Sequence, residues 1–177
     1  MTEPKDLAAV FDAHVGAEFV EQDLDAAMGT MAPDPYVYHV PPMTGGDGYD
    51  NVRTFYGDHF IGKWPDDTEI TPVSRTIGET QVVDELVISF THTIEMDAIL
   101  PRVPPTGKRV TLAFCVVVGF EDGKVAHEHI YWDQASALVQ VGLIGREELP
   151  VTGGEQAENL VERHAQPMNE LMAAESD

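Results

Sequence analysis

The densest group of titratable side chains lies between Lys124 and Asp133, where the sequence reads as a strand that leads into a helix. Consecutive side chains of a strand point to opposite faces. One face therefore carries His127, His129, Tyr131 and Asp133, and the other carries Ala126, Glu128, Ile130 and Trp132. A polar face of this kind either meets solvent or lines a polar cavity in which chemistry takes place, and the spacing leaves both open.

Asp133 has two interpretations, and both can hold at once. A carboxylate at the floor of a cavity loses solvation, so its pKa rises and it becomes a usable acid or base near neutral pH. An aspartate directly before Gln134 and Ala135 is also well suited to cap the N-terminus of a helix. We predict Asp133 as the catalytic proton acceptor and keep the helix cap as the alternative.

Two histidines are the predicted partners of Asp133. His92 follows Ile88 and Phe90 at every second position of a predicted strand, so it points where the apolar side chains point. There it is either a catalytic group or a core histidine with a satisfied hydrogen bond. His129 is the second catalytic candidate, because a neutral imidazole suits a general base near pH 7.

His127 and His129 are two residues apart on a predicted strand, a spacing that lets both rings reach one point. With a further ligand they could hold zinc or iron. We keep a metal-dependent hydrolase or lyase as an alternative and predict neither a metal nor a cofactor. The predicted substrate-binding residues are Tyr38, His39, His127 and Tyr131. Of these, Tyr38 is suited to donate a hydrogen bond to a carbonyl or enolate oxygen.

Composition excludes several partners. The chain has 177 residues, with 31 acidic against 10 basic side chains and a formal net charge of −21. Nucleic acid and anionic membrane surfaces require clustered Lys and Arg, so we predict neither as a partner. Strong acidity is typical both of a soluble acidic surface and of adaptation to high salt. No apolar run is long enough to span a membrane and no signal peptide is evident, so we predict a cytoplasmic protein.

Hydrophobic periodicity changes along the chain. Residues 6–32 have helical spacing that breaks near Gly16, and residues 49–60 form a second helical segment. Strands are predicted at 36–40 and then over a long run, at 69–77, 80–96, 109–120 and 124–132, followed by helices at 133–143 and about 155–164. Helices followed by long strands predict an α+β fold, in which a curved antiparallel sheet wraps around the N-terminal helices and leaves an internal cavity.

The order of these elements resembles that of the NTF2-like superfamily, and more narrowly the SnoaL-like polyketide cyclase group. Three features carry the resemblance, and together they span residues 6–144. The first is a long N-terminal helix followed by Tyr38-His39 and by a helix that ends Thr54-Phe55-Tyr56. The second is the loop and strand Pro104-Pro105-Thr106-Gly107-Lys108-Arg109-Val110. The third is the ending that runs from Asp122-Gly123-Lys124-Val125 through Trp132-Asp133-Gln134 to Leu143.

The resemblance implies a cone-shaped α+β barrel and a homodimer formed through the sheet. It also implies chemistry without a metal or organic cofactor, and a catalytic aspartate near the end of the last strand, which matches Asp133. His92 has no counterpart in the resemblance and is predicted from physical reasoning alone. We expect residues 1–149 to form the SnoaL-like domain and residues 150–177 to form a polar, partly helical C-terminal extension.

The sequence therefore predicts a cofactor-independent small-molecule enzyme of the cyclase, isomerase or dehydratase (lyase) type. It would apply acid/base chemistry to an apolar, carbonyl-bearing substrate in the cavity. The alternative is a non-catalytic domain that binds an apolar metabolite in the same cavity.

Overall fold

A computed structural model describes residues 6–147 and 149–172 of the chain. The last five residues of the predicted C-terminal extension, 173–177, lie outside the described residues. Within the described part, none of the helices has the length and apolar character that crossing a bilayer requires.

The N-terminal helical segment is three consecutive pieces. Helix α1, Leu7–Val15, begins at Asp6, whose side chain accepts hydrogen bonds from the first free amides. The chain then continues as a π-helical turn, Gly16–Glu21. Helix α2, Leu24–Thr30, begins at a second aspartate cap, Asp23. Near Gly16, where the sequence predicts a break, the helix changes from α to π type, and the helical segment ends at Gln22, whose backbone is left-handed.

A six-stranded sheet provides the second layer. Its strands are β1 Met31–His39, β2 Thr44–Asp47, β3 Glu69–Ile77, β4 Gln81–Thr91, β5 Arg109–Glu121 and β6 Lys124–Trp132. Their spatial order is β2-β1-β6-β5-β4-β3, so β2 and β3 are edges and the sheet does not close. The predicted α+β class is confirmed. In one respect the sheet differs from the prediction, because β1 runs parallel to β6 and the sheet is mixed.

The hairpin between β5 and β6 has the turn that its sequence predicts. Asp122 and Gly123 both have positive φ angles, 51° and 69°. A two-residue hairpin of the primed type needs this backbone at both central positions, and Asp-Gly adopts it readily. The turn fixes the register of β6, which pairs Val117 with His129 and Val118 with Glu128.

A third helical segment covers the sheet next to β1. Helix α3, Tyr49–Phe55, continues as a second π-helical turn, Tyr56–Phe60. Most of the side chains packed between these helices and the sheet are apolar, and several of them are fully buried: Met28, Val37, Val52, Phe90 and Leu112.

The chain after β6 returns to the sheet. Helix α4, Gln134–Gln140, is followed by α5, Glu155–Val161, and by a 3₁₀ turn, Glu170–Met172. Ser136 Oγ donates to the Gly153 carbonyl at 2.7 Å. The Gln140 side-chain amide bonds the backbone N–H and C=O of Thr111 at 2.7 and 2.9 Å, on the edge of β5 that β6 no longer pairs. The extension beyond residue 149 thus packs against the main body, and the division at 149 stays a prediction.

Candidate active site

A cavity of about 600 Å³ lies between the helices and the sheet. Such a volume accommodates a small organic molecule. Its walls are mainly apolar and aromatic, and they include Phe11, Phe19, Phe60, Trp64, Ile88, Phe114, Val116 and Ile130. A small set of polar side chains interrupts these walls, and the chemistry of the cavity depends on them.

One polar set forms a buried cluster of four side chains, each from a different element. His14 lies in α1, Glu18 lies in the following π-helical turn, Tyr56 begins the second π-helical turn, and Glu128 lies in β6. π-Helical turns are frequent at functional sites because they rotate side chains out of the ordinary helical register. Glu18, Tyr56 and Glu128 line the cavity, while His14 is fully buried beside them.

The cluster is joined by short polar contacts. His14 Nε2 lies 3.2 Å from Glu18 Oε1, 3.6 Å from Glu128 Oε1 and 3.2 Å from the Tyr56 hydroxyl. Tyr56 donates to Glu128 Oε2 at 2.7 Å. On its other side, His14 Nδ1 lies 2.6 Å from Thr30 Oγ1. Buried ionisable groups require such partners, because each is costly to leave unpaired.

The hydrogen-bond pattern fixes the protons on His14. The Thr30 hydroxyl donates to the Ala27 carbonyl at 2.6 Å, so it accepts from His14 and Nδ1 carries a proton. The Tyr56 hydroxyl donates to Glu128, so it accepts from His14 and Nε2 also carries a proton. A ring with both nitrogens protonated is an imidazolium cation. His14 is therefore the buried positive charge of the cluster.

The pKa directions agree with this assignment. Burial alone would lower the pKa of His14, but Glu18 and Glu128 hold that pKa well above its usual range. Burial raises the pKa of Glu18, and the neighbouring Glu128 raises it further, which outweighs the opposing effect of His14. Burial acts in the same direction on Glu128, yet His14 and Tyr56 lower the pKa of that carboxyl overall. Glu18 is thus the carboxyl of the cluster whose pKa is raised, while that of Glu128 is lowered.

Tyr56 supplies a neutral hydroxyl to the same region. Burial, followed by the charges of Glu128 and Glu18, raises its pKa well above the usual value. It therefore keeps its proton and acts as a hydrogen-bond donor toward an oxygen that develops negative charge.

His39 lines the cavity from β1 without joining the cluster. Its ring lies 5.5 Å, centroid to centroid, from each of Phe55, Phe60 and Trp132. Its Nδ1 is buried and has no hydrogen-bond partner within the described residues. Burial lowers the pKa of His39 to about 4, against a smaller opposing effect of Glu128. His39 is therefore neutral at physiological pH. Its place in the lining suits the substrate contact predicted from the sequence, and that contact stays a prediction.

A second polar set marks the solvent end of the cavity. Arg75 Nε and Nη2 donate to the two carboxylate oxygens of Asp84 at 2.6 and 2.7 Å. Arg75 Nη1 donates to Asp12 of α1 at 2.6 Å. The guanidinium also lies over the ring of Phe11, 5.3 Å from its centroid. Arg75 thus links the sheet to α1 beside the opening.

The structure places Asp133 at the start of α4. Its Oδ1 accepts from the amides of Ala135 and Ser136 at 2.9 and 3.2 Å, and its Oδ2 accepts from Gln156 at 2.9 Å. Asp133 is exposed and does not belong to the cavity lining. The predicted helix cap is confirmed. The cavity gives its predicted catalytic role no geometric support.

His92 is fully buried at a different place. Its Nδ1 lies 3.2 Å from Thr106 Oγ1, and its backbone bonds Thr106, Gly107 and Lys108. Burial lowers its pKa. His92 is therefore a core residue that holds the loop before β5. It does not line the cavity, and its role as a partner of Asp133 has no geometric support either.

The polar face of β6 is the outer face of the sheet. His127 and His129 stack 4.7 Å apart, His129 contacts Tyr36 edge to face, and Tyr36 stacks on Tyr38. Tyr131 on the same face is 43% exposed. The Gly119 opposite His127 leaves space for that ring, since a Cβ there would lie 2.0 Å from it. The predicted alternation along β6 is correct, but Glu128, Ile130 and Trp132 occupy the inner face.

The sequence analysis predicted none of the four residues of the buried cluster as site residues: His14, Glu18, Tyr56 and Glu128. The sequence did contain a signal for two of them. His14 and Glu18 fall on the same stripe of α1 and its extension as Phe11, Val15 and Phe19, so they are polar residues at core positions. Two ionisable groups at such positions, one turn apart, indicate a paired buried site. Tyr56 and Glu128 give no comparable signal of their own.

The chain belongs to the SnoaL-like domain family, whose model matches residues 11–128. These residues contain every member of the buried cluster. No curated protein sequence matches the chain significantly.

Solved structures share the fold at low sequence identity. AclR from Streptomyces galilaeus, described as a putative hydroxylase, has a TM-score of 0.59 at 20% identity and covers 79% of this chain and 87% of its own. A putative SnoaL-like polyketide cyclase from Jannaschia sp. CCS1 has a TM-score of 0.61 at 14% identity. The match covers 82% of this chain and 98% of the cyclase. An LEH-like epoxide hydrolase from M. tuberculosis has a TM-score of 0.52 at 15% identity. The match covers 72% of this chain and 82% of the hydrolase.

Proposed function

We propose that the protein is a small-molecule enzyme that moves a proton on an apolar, carbonyl-bearing substrate, with Glu18 as the acid/base group. One observation carries the proposal: Glu18 is a buried carboxyl of raised pKa that lines an apolar cavity next to an imidazolium and a neutral phenol. A catalytic acid or base works best when its pKa lies near the working pH, and burial beside another carboxylate produces this shift.

The roles follow from the contacts. Glu18 removes a proton from the carbon beside the substrate carbonyl. Tyr56 turns its hydroxyl from Glu128 to the carbonyl oxygen and stabilises the enolate charge. His14 remains cationic between Glu18 and Glu128, and it balances the negative charge that would otherwise build up in the apolar site. The proton then returns from Glu18 to the same carbon or to another, so isomerisation, cyclisation and dehydration can all begin at this site.

The proposal is tested by hydrogen exchange on a ketone probe. Beta-tetralone is a small apolar ketone that carries acidic protons beside its carbonyl. In D₂O the protein should accelerate deuterium incorporation, measured by proton NMR. Glu18→Gln should lower the rate by roughly a hundred- to ten-thousand-fold, the usual effect of losing a general base.

The matched control is Glu79→Gln, the same change at an exposed residue of the β3–β4 turn. Its exchange rate should equal that of the wild type. If Glu18→Gln exchanges as fast as the wild type, Glu18 is not the base. If the wild type binds beta-tetralone without accelerating exchange, the protein is better described as a binding domain for apolar metabolites.

A metal-dependent enzyme is the second candidate, favoured by one observation. His14, Glu18 and Glu128 offer one ligand atom each, and these atoms lie within 4.8 Å of one another. A divalent metal would have to displace the Nε2 proton of His14, so its affinity should rise with pH. Calorimetric titration with Zn²⁺ at pH 6 and pH 8 tests this, with His14→Gln as the variant that should lose binding. Binding that survives His14→Gln would contradict this site.

We also propose a homodimer formed through the outer face of the sheet, as the sequence resemblance implies. The aromatic rings of that face, among which Tyr131 is 43% exposed, support this proposal. Light scattering should give twice the chain mass of 19.4 kDa. Tyr131→Lys should yield a monomer, while Tyr49→Lys, at a residue of similar exposure in α3, should stay dimeric. The cytoplasmic location inferred from the sequence stays a prediction.

A further inference from the structure

Charged side chains are distributed unevenly over the cavity lining. Carboxyl groups stand at both ends: Glu18 and Glu128 in the buried cluster, and Asp12 and Asp84 at the opening. Among the described residues, Arg75 is the one lysine or arginine that lines the cavity. Recognition of a carboxylate or phosphate group would therefore fall to Arg75, because the second cation, His14, lies behind Glu18 and outside the lining.

Arg75 is already paired with two carboxylates. Three of its nitrogens donate to Asp12 and Asp84 at 2.6 to 2.7 Å, and the bond pair to Asp84 is bidentate. The Nε edge of the guanidinium is occupied by Asp84, and two of its five N–H donors remain. A substrate anion that bound the remaining donors would meet the two carboxylates at close range, and one that bound the Nε edge would have to displace Asp84.

The opening also has an excess of negative charge. Asp84 is 13% exposed and Asp12 is 65% exposed, so one of the two carboxylates is poorly screened by solvent. The aromatic walls add a further preference, since the faces of Phe and Trp rings attract cations and not anions. Trp64 and Phe19 both line the cavity.

We infer that the cavity selects apolar substrates by charge: it takes molecules that carry a protonated amine, tolerates uncharged ones and rejects their carboxylates. The inference rests on the proposed function in taking this cavity as the substrate site, and it names the class of substrate for that site. Its test is a binding measurement without turnover, so it can fail while proton transfer by Glu18 stands, and the reverse.

The experiment compares three probes of nearly equal size: naphthylmethylamine, naphthylmethanol and naphthoic acid. Calorimetry at pH 7 should rank their affinities in that order, with the amine at least about tenfold tighter than the acid, because juxtaposed like charges are strongly unfavourable. Naphthoic acid that binds as tightly as the amine overturns the inference. Failure of all three probes to bind also overturns it.

Two matched variants locate the effect. Asp12→Ala releases one donor nitrogen of Arg75 and should narrow the amine-to-acid affinity ratio by about three- to tenfold. Asp25→Ala removes another exposed aspartate, which pairs with Arg53 at 2.6 Å outside the cavity, and it should leave the amine-to-acid affinity ratio unchanged. Both residues are exposed helix positions, and circular dichroism confirms folding. Equal effects of the two variants would assign the preference to the net charge of the protein and contradict selection at the opening.

Discussion

Tyr56 and Glu128 join the helical layer to the sheet through one short hydrogen bond, 2.7 Å from the phenol oxygen to Oε2. Both residues are buried, and both also contact His14. A polar contact in this setting is strong, but it is costly to disrupt, because the group left behind has no water to replace its partner. The cluster therefore contributes to folding as well as to the proposed chemistry.

The first prediction concerns the stability of Glu128→Gln. The variant keeps the size of the side chain and removes its charge, so His14 loses one of its two counter-charges inside the core. Breaking a buried ion pair typically costs about 3–5 kcal/mol, and we expect a loss near the lower value because Glu18 remains. Urea denaturation measures it. Glu121→Gln, at the exposed end of β5, is the control, and equal free energies of unfolding for the two variants would contradict the pairing.

The second prediction concerns the charge of His14. Its folded pKa lies above the value of about 6.5 expected when unfolded. Its contribution to stability is therefore complete below pH 6.5 and decreases as the pH rises through the folded pKa. Nitrogen-15 NMR should find both ring nitrogens protonated at pH 7.5. His14→Gln should flatten the loss of stability above pH 6.5, whereas His59→Gln, at an exposed site, should not. A neutral His14 ring at pH 7.5 would contradict the imidazolium assignment.

The elements that local pattern governs were predictable from the sequence. Alternation along β4 and β6, the apolar run of β5 and the Asp-Gly turn predicted the long strands, because these patterns depend on neighbouring residues alone. The helical spacing also indicated an irregularity near Gly16, where the helix changes type. The sequence did not indicate the π-helical turns or strand β2, since Thr44–Asp47 is a glycine-rich segment that becomes a strand only by pairing with β1.

The site was harder to predict because it depends on which face of β6 is covered. Periodicity places His129 and Glu128 on opposite faces, but it does not say which face the helices cover. The titratable His127, His129 and Tyr131 led to a site being predicted on the face that proves to be the outer one. The inner face of the sheet carries Glu128, and its partners come from helices that are distant in sequence. Pairing of His14 with Glu128 is a tertiary contact with no local signature.

The third prediction concerns acid sensitivity from His39. Its folded pKa of about 4 lies below the unfolded value, so the unfolded state binds more protons between pH 6.5 and 4. Stability therefore falls as the pH drops through this range, by on the order of 2 kcal/mol between pH 6.5 and 5. His39→Phe fills the same aromatic surroundings and should remove this part of the pH-dependent loss of stability. The lowered pKa of His92 also makes stability fall as the pH drops. The quantity to compare is therefore the difference in free energy of unfolding between wild type and variant at each pH. Identical pH profiles would contradict a neutral buried His39.

The last prediction separates the cap from catalysis at Asp133. Asparagine caps helices about as well as aspartate, whereas alanine leaves the first amides of α4 without a partner. Asp133→Asn should therefore unfold at nearly the wild-type urea concentration, and Asp133→Ala should lose about 1 kcal/mol. Because Asp133 lies outside the cavity lining, we expect deuterium exchange on beta-tetralone to proceed in the folded Asp133→Asn protein. A loss of a hundredfold or more would instead restore the catalytic role predicted from the sequence, and would show that the substrate reaches the end of β6.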